Sequence, residues 1–169
     1  MNKVSDYMAV EGDSSESQET FLAGIDYGRV RIGIALAHRQ LRIPLPCENY
    51  TRRGDTLDSQ FFRDFASTEK VSRFVVGLPL HLDGGESVMA AEARQFGQWL
   101  HELTGVPVVY FDERFSSVEA EGMLRERKLT RKKRKQRIDM LAAQVMLAAY
   151  LESGEREYSP APLEDHDRR

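Results

Sequence analysis

FLAGIDYGRVRIGIALAH, residues Phe21 to His38, decides how the rest of the chain is read. Phe21–Asp26 is a short apolar run, and a Tyr27-Gly28 turn follows it. Arg31–His38 then alternates, with Ile32, Ile34 and Leu36 on one face and Gly33, Ala35 and Ala37 on the other. A period of two is the signature of a strand. Two strands joined by so short a link pair antiparallel. The small residues on the second face let another element or a ligand come close. Leu41–Tyr50 predicts a third strand, and Pro44 and Pro46 within it favour a sheet edge.

Beyond this hairpin, helix and strand patterns alternate. Thr56–Ser67 has helical spacing at Leu57, Phe61, Phe62 and Phe65. Arg73–Gly77 reads as a buried strand closed by Gly77-Leu78-Pro79. Glu86–Leu103 is an amphipathic helix with Met89, Ala93, Phe96, Leu100 and Leu103 on one stripe. Val106–Asp112 is a further strand, and Val118–Leu124 begins a helix. The last helix is expected over Ile138–Leu151, with Leu141, Ala142, Val145 and Ala149 inward. Strands separated by helices add in parallel through right-handed crossovers. The fold class is therefore α/β: a mixed five-stranded sheet, three antiparallel strands then two parallel, flanked by helices.

The chain has 169 residues, 41% hydrophobic and 30% charged, which suits one globular domain and excludes collagenous or wholly disordered classes. We expect a disordered acidic tail over 1–19, one domain over 20–153 and a flexible C-terminal tail over 154–169. No apolar run approaches the ~18 residues that span a bilayer, and the N-terminal stretch lacks a secretory apolar core. The single cysteine, Cys47, has no partner for an internal disulfide, and no Cys/His spacing suggests zinc. These features predict a cytoplasmic protein without a membrane partner.

The net charge of −3 is uneven. Residues 1–19 carry five acids against Lys3, whereas nine basic residues lie between Arg125 and Arg137 with only Glu126 opposing them. Such a block either solvates a surface or meets an anion, nucleic acid being the obvious polyanion.

Three acidic positions fall at element ends. Asp26 ends the first strand, Asp112 and Glu113 end the last, and Asp139 opens the final helix. Rigid positions of this kind let side chains converge. Hard cations such as Mg²⁺ take oxygen ligands from several carboxylates, and a pair of them can activate water and stabilise a leaving oxygen. Each acid also has an ordinary explanation. Asp26 suits a turn before glycine, Asp139 suits a helix N-terminus, and Asp112 or Glu113 can pair with Arg114. Strand parity does not choose between Asp112 and Glu113, since both faces of that strand are apolar.

Four segments together resemble one family. GIDYGRVRIGIALAH (Gly24–His38), VVGLPLHLDGGES (Val75–Ser87), VVYFDERFSSVEAE (Val108–Glu121) and IDMLAAQVMLAAYLE (Ile138–Glu152) look like the successive signatures of the YqgF/RuvX family. Its members are described as RNase H-like nucleases, either Holliday junction resolvases or pre-16S rRNA processing enzymes. The resemblance spans about Phe21 to Glu152. It implies an RNase H-like fold and a phosphodiesterase dependent on Mg²⁺ or Mn²⁺. It also implies metal ligands at Asp26, Glu113 and Asp139, with Asp112 as the substitute within Asp112-Glu113-Arg114. Junction resolvases of the superfamily carry a further acid one turn beyond the last; here that position is Ala142. Phe115-Ser116-Ser117 departs mildly from the usual Leu-Thr-Thr and keeps the hydroxyls.

Other residues have roles to weigh. Arg29, Arg31 and Arg114 are candidate phosphate contacts, as are Arg131, Lys132, Lys133, Arg134, Lys135 and Arg137 just before Asp139. Gly28 permits a turn, and Gly33 suits close strand packing. Ser116-x-x-Glu119 is a capping box. The loop Asp83-Gly84-Gly85 is a surface loop or a substrate contact.

Three functions compete. The first is a nuclease acting on structured RNA, pre-rRNA above all, or on branched DNA as a Holliday junction resolvase would. The second is a nucleotide-handling enzyme, because Asp26-x-Gly28 also resembles the first phosphate motif of sugar kinases; that class needs two such domains. The third is a non-catalytic nucleic-acid-binding module in transcription or ribosome assembly. Either a monomer or a homodimer is compatible with the sequence.

Overall fold

In the computed structural model, which describes residues 19–115 and 131–159 (the backbone alone for 115 and 131–139), the alternating segment forms the expected hairpin. Strand β1 (Phe21–Asp26) pairs antiparallel with β2 (Arg31–His38), placing Ile25 opposite Ile34 and Asp26 opposite Gly33. Strand β3 (Pro44–Thr51) covers the outer side of β2, with a register shift between Ile34 and Ala35 where Pro46 sits. Strands β4 (Val71–Leu78) and β5 (Val108–Asp112) add in parallel beyond β1. The sheet order is β3-β2-β1-β4-β5, so the prolines do lie at an edge. This is the mixed α/β sheet that the sequence implies.

Two helices cover one face, α1 (Asp55–Thr68) and α2 (Val88–Thr104). Between them and the sheet lie Ala23 and Ile25 of β1, Ile32 and Ile34 of β2, and Val76 of β4, packed on Phe62, Phe96 and Leu100. Ser87 caps α2 by accepting from the Ala90 N–H at 3.0 Å, and Gly105 ends it in a left-handed conformation. The other face is covered by α3 (Arg131–Glu152), whose Ala143, Met146, Leu147 and Tyr150 pack on Leu22, Ala35, Ala37, Val75 and Phe111. A Cβ added at Gly24 would lie 2.9 Å from Leu147 Cβ and 3.2 Å from the Ala143 carbonyl. The small second face of the hairpin therefore brings a helix onto the strands. No helix among the described residues is long and apolar enough to cross a membrane.

Several expectations need correction. The third strand begins at Pro44, not Leu41, because the chain turns first: His38 Nδ1 accepts from the Gln40 and Leu41 N–H groups, and Arg42 takes a φ of 56°. In α1, Leu57 is 45% exposed while Asp58 is buried; a buried acceptor for three donors displaces the apolar stripe there. The inward stripe of α3 is Ala143, Met146, Leu147, Tyr150 and Leu151, whereas Leu141, Ala142, Val145 and Ala149 are only half-buried. That helix is apolar nearly all round from 140 to 151, so spacing alone did not orient it. It is also already helical at Arg131, the first described residue of this part, since lysine and arginine are good helix formers. Asp139 thus lies just over two turns inside the helix and does not open it. Finally, the segment after 153 does not start as a loose tail. Glu155 accepts from Arg42 at 2.7 Å, and the Tyr158 N–H donates to the Tyr110 carbonyl on the β5 edge at 2.7 Å. The acidic stretch 1–18, the helix expected from Val118, its capping box and residues 160–169 lie outside the described residues.

Candidate active site

Parity along the strands sorts the acids by face. In β1, Ala23 and Ile25 belong to the α1–α2 core while Leu22 and Gly24 meet α3, so Asp26 falls on the α3 face. In β4, Val76 and Leu78 face α1 and α2, which leaves Val75 and Gly77 on the α3 face. In β5, Phe111 packs under α3 and Asp112 belongs to the opposite side. Glu113 follows in a short 3-10 turn (Glu113–Phe115), and its carboxylate lies over Gly77. A Cβ built on Gly77 would collide with Glu113 Oε1 and sit 3.0 Å from its Cδ. The glycine leaves the room that lets a side chain from beyond β5 reach back across β4.

The electrostatics follow this arrangement. Burial first, and then the negative charges of Asp26 and Asp112, push the Glu113 carboxyl up to about 7. Asp112 behaves differently. It is 3% exposed, and it accepts from the Arg114 backbone N–H at 3.0 Å and from Arg114 Nε at 2.9 Å, with Nη2 on Oδ2 as well. Burial raises its carboxyl, but the Arg114 hydrogen bonds and charge outweigh that and hold it below the ordinary range. A carboxylate gripped by a guanidinium fork has few lone pairs left for a cation. Arg114 also donates through Nη1 to the His81 and Leu82 carbonyls at 3.3 Å, tying the loop after β4 to the end of β5.

Asp139, the third acid expected from the sequence, belongs to the helix on this face. Arg73, level with Leu22 near the start of β1, donates to the Tyr150 hydroxyl at 3.1 Å, while Ala143 and Leu147 lie on Gly24. Moving from 150 back to 143 thus runs along β1 toward its C-terminal end. One turn further, position 139 of the helix reaches the Asp26 end of the strand; the Asp139 side chain lies outside the described residues. Among the described residues no group of three or more His, Cys, Asp or Glu side chains is arranged to hold a metal ion. Asp26 and Glu113 supply an oxygen-only pair, the donor chemistry of a hard cation rather than of zinc.

The basic candidates differ in their surroundings. The Arg29 guanidinium grips the Glu92 carboxylate at 2.7–3.2 Å on the surface. Arg31 starts β2 opposite Thr51 and is half-buried. Arg114 is engaged as described. Arg131, Lys132, Lys133, Arg134, Lys135 and Arg137 form the first two turns of α3, and residues 125–130 lie outside the described part. Gly28 is needed for its turn, since a Cβ there would strike the Arg31 carbonyl. In the loop after β4, Asp83 accepts from the Gly85 N–H at 2.8 Å, a local turn contact. Sequence reasoning treated Gly77 only as part of a turn and missed its role as the seat of Glu113. The available signal was a glycine inside an otherwise apolar strand, which marks a close approach.

With this geometry in hand, comparison with known proteins is informative. The family model described as "RuvX: Holliday junction resolvase" matches residues 20–153. A protein of Rhodopirellula baltica is 47% identical over 132 residues, covering 78% of this chain and 76% of that protein. One from Anaeromyxobacter dehalogenans is 43% identical over 129 residues, covering 76% of this chain and 94% of its own. Both carry the name "Putative pre-16S rRNA nuclease". Among solved structures, Thermus thermophilus RuvC in complex with a Holliday junction substrate superposes with a TM-score of 0.50 at 13% identity. That match covers 82% of this chain and 98% of the other, and it shows a shared RNase H-like fold.

Proposed function

The chain belongs to the RuvX family, and from that premise we propose that it is a metal-dependent nuclease that hydrolyses phosphodiester bonds in structured RNA, its task the 5′-end processing of pre-16S rRNA. The observation that carries the mechanism is the meeting of Asp26 and Glu113 on one sheet face, with Gly77 clearing the space for the Glu113 carboxylate. Mg²⁺ or Mn²⁺ fits this oxygen-only pair, and Asp139 of the covering helix is the third ligand in this reading. When bound, the ion supplies Lewis acidity at a phosphate oxygen and a nucleophilic water at neutral pH.

The protein's own groups prepare that chemistry. Asp26 ends a central strand and pairs with Gly33 of β2, one residue beyond the pairing of Ile25 with Val76 of β4, so its backbone is held by the sheet. Glu113, pushed up to about 7 by burial and by the charges of Asp26 and Asp112, holds a proton at its carboxyl over part of the neutral range, and it would have to be in its carboxylate form to serve as a ligand. Arg114 is a positioning residue: by clamping Asp112 on the far face it fixes the turn that aims Glu113. The basic first turns of α3 lie on the same helix as Asp139, where phosphate contacts would draw a strand toward the acids.

The test compares a fragment carrying the pre-16S 5′ end with a four-way DNA junction, each with Mg²⁺, with Mn²⁺ and with chelator. Cleavage of the RNA only with divalent metal, abolished by Asp26→Asn, supports the reading. Cutting that persists in chelator, or of the junction alone, overturns it.

A further inference from the structure

We infer that a cleft on the α1–α2 side of the sheet, beside the C-terminal end of β1, receives one unpaired nucleobase of the strand being cut, an inference that rests on the nuclease reading above. The cleft holds about 260 Å³. That is below the ~300–1,000 Å³ of a drug-sized site, so it suits a single ring system. Its apolar wall is the half-buried Tyr27 and Trp99, backed by the buried Phe96. Tyr27 and Phe96 have centroids 5.2 Å apart at 37°, and Phe96 and Trp99 are 5.2 Å apart at 35°. Arg52 lies over two of these rings, with Cζ 6.0 Å from Tyr27 and 5.9 Å from Phe96, and its Nε is fixed on Asp58 at 3.0 Å. Aromatic faces joined by a guanidinium plane form the platform on which nucleobases stack.

The rim selects a base over a phosphate. Asp55, Gln95 and Glu92 contribute oxygens there, and Glu92 is already spent on Arg29. Carboxylates repel a phosphate but accept hydrogen bonds from the exocyclic amino group of adenine, cytosine or guanine. The cleft is also joined to the acids by covalent geometry. Tyr27 follows Asp26 directly and packs against the α1–α2 core, whereas strand parity turns Asp26 toward α3. A strand crossing the sheet end with its phosphate at Asp26 thus brings a neighbouring base onto Tyr27.

Trp99 is the chain's single tryptophan, so its emission reports on this cleft. The Asp26→Asn protein, expected not to cut on the nuclease reading, is titrated with single-stranded hexa-adenylate and hexa-uridylate RNA while emission and anisotropy are followed together. The expected result is a saturable emission change that tracks binding, stronger for adenylate. Tyr27→Ala weakens that binding by about tenfold, and the exposed Gln95→Ala, which leaves the core untouched, weakens it less. Binding by anisotropy with unmoved Trp99 emission, equal binding of the Tyr27→Ala variant, or no binding at all overturns the inference. Metal-dependent cleavage by the unaltered protein is scored separately, so a failed cleft and a failed nuclease reading give different patterns.

Discussion

On the α3 side of the sheet the side chains are small and the helix backbone comes close, whereas on the other side aromatic rings interlock from Tyr27 through Phe96 and Phe62 to Phe61 and Tyr50. Asp26 and Glu113 meet where the packing is lean. A carboxylate needs room and a cation, and Gly77 supplies the room that a larger residue would fill. The aromatic side supplies buried apolar area instead, the main source of folding free energy. The comparison predicts that the acid pair can be changed with little loss of stability and the aromatic core emptied without moving the acid pair, and substitutions on each face can break that claim.

The largest effect is expected at the lean face. Asp26→Asn and Glu113→Gln should each drop metal-dependent cleavage to background, with little change in the melting temperature. Initial rates beside thermal melts check this; a variant that melts early yet still cuts would blur the division of faces. On the aromatic face, Phe62 is fully buried against Tyr50, Phe61, Phe96 and Trp99. Phe62→Ala should cost about 3–5 kcal/mol in urea unfolding. The fraction that remains folded should still cut in a metal-dependent way, because Asp26 and Glu113 lie on the other face.

The two glycines of the lean face sharpen the contrast further. At Gly24 an added methyl meets the Ala143 carbonyl and the root of Leu147, backbone and near-backbone atoms that cannot move away. Gly24→Ala should therefore cost about 1–3 kcal/mol of stability. At Gly77 the obstacle is the far end of a flexible side chain, which can swing clear. Gly77→Ala should leave stability nearly unchanged but weaken metal affinity or activity by about 10–100-fold, as other displaced metal-site partners do. Calorimetric titration with Mn²⁺ alongside urea midpoints separates the two variants.

How much of this was legible depended on whether the pattern was local. The hairpin could be read because Ile32, Ile34 and Leu36 alternate with Gly33, Ala35 and Ala37, and its small face received a helix. The orientation of that helix could not be read, because its apolar residues cover almost the whole circumference and only the depth of Gly24 chooses Ala143 and Leu147. Asp26 was visible as a strand-end acid. The different settings of Asp112 and Glu113 were not, since β5 is apolar on both sides; only the structure puts Glu113 over Gly77 and Asp112 in the grip of Arg114. The long-range contacts of Glu155 and Tyr158 left no periodic trace, so the end of the domain was read as a tail.

The smallest effect tests whether the aromatic face also carries a polar anchor. Asp58 is fully buried at the start of α1 and accepts from the Tyr50 hydroxyl at 2.7 Å, the Arg53 N–H at 2.8 Å and Arg52 Nε at 3.0 Å. Burial pushes its carboxyl up, but those three donors and the Arg52 charge win, so its value falls below the ordinary 3.8. A depressed native value means that Asp58 stabilises the fold in full above the unfolded value and loses that contribution as pH falls below it. Asn at this position keeps one acceptor oxygen for Tyr50 and the Arg53 N–H but loses the charge paired with Arg52. Asp58→Asn should thus cost about 1 kcal/mol near neutrality and less as the solution is acidified below 3.8. Urea midpoints of both proteins from neutral to acid pH check the sign. A gap that widened on acidification would mean the carboxylate is strained there rather than held.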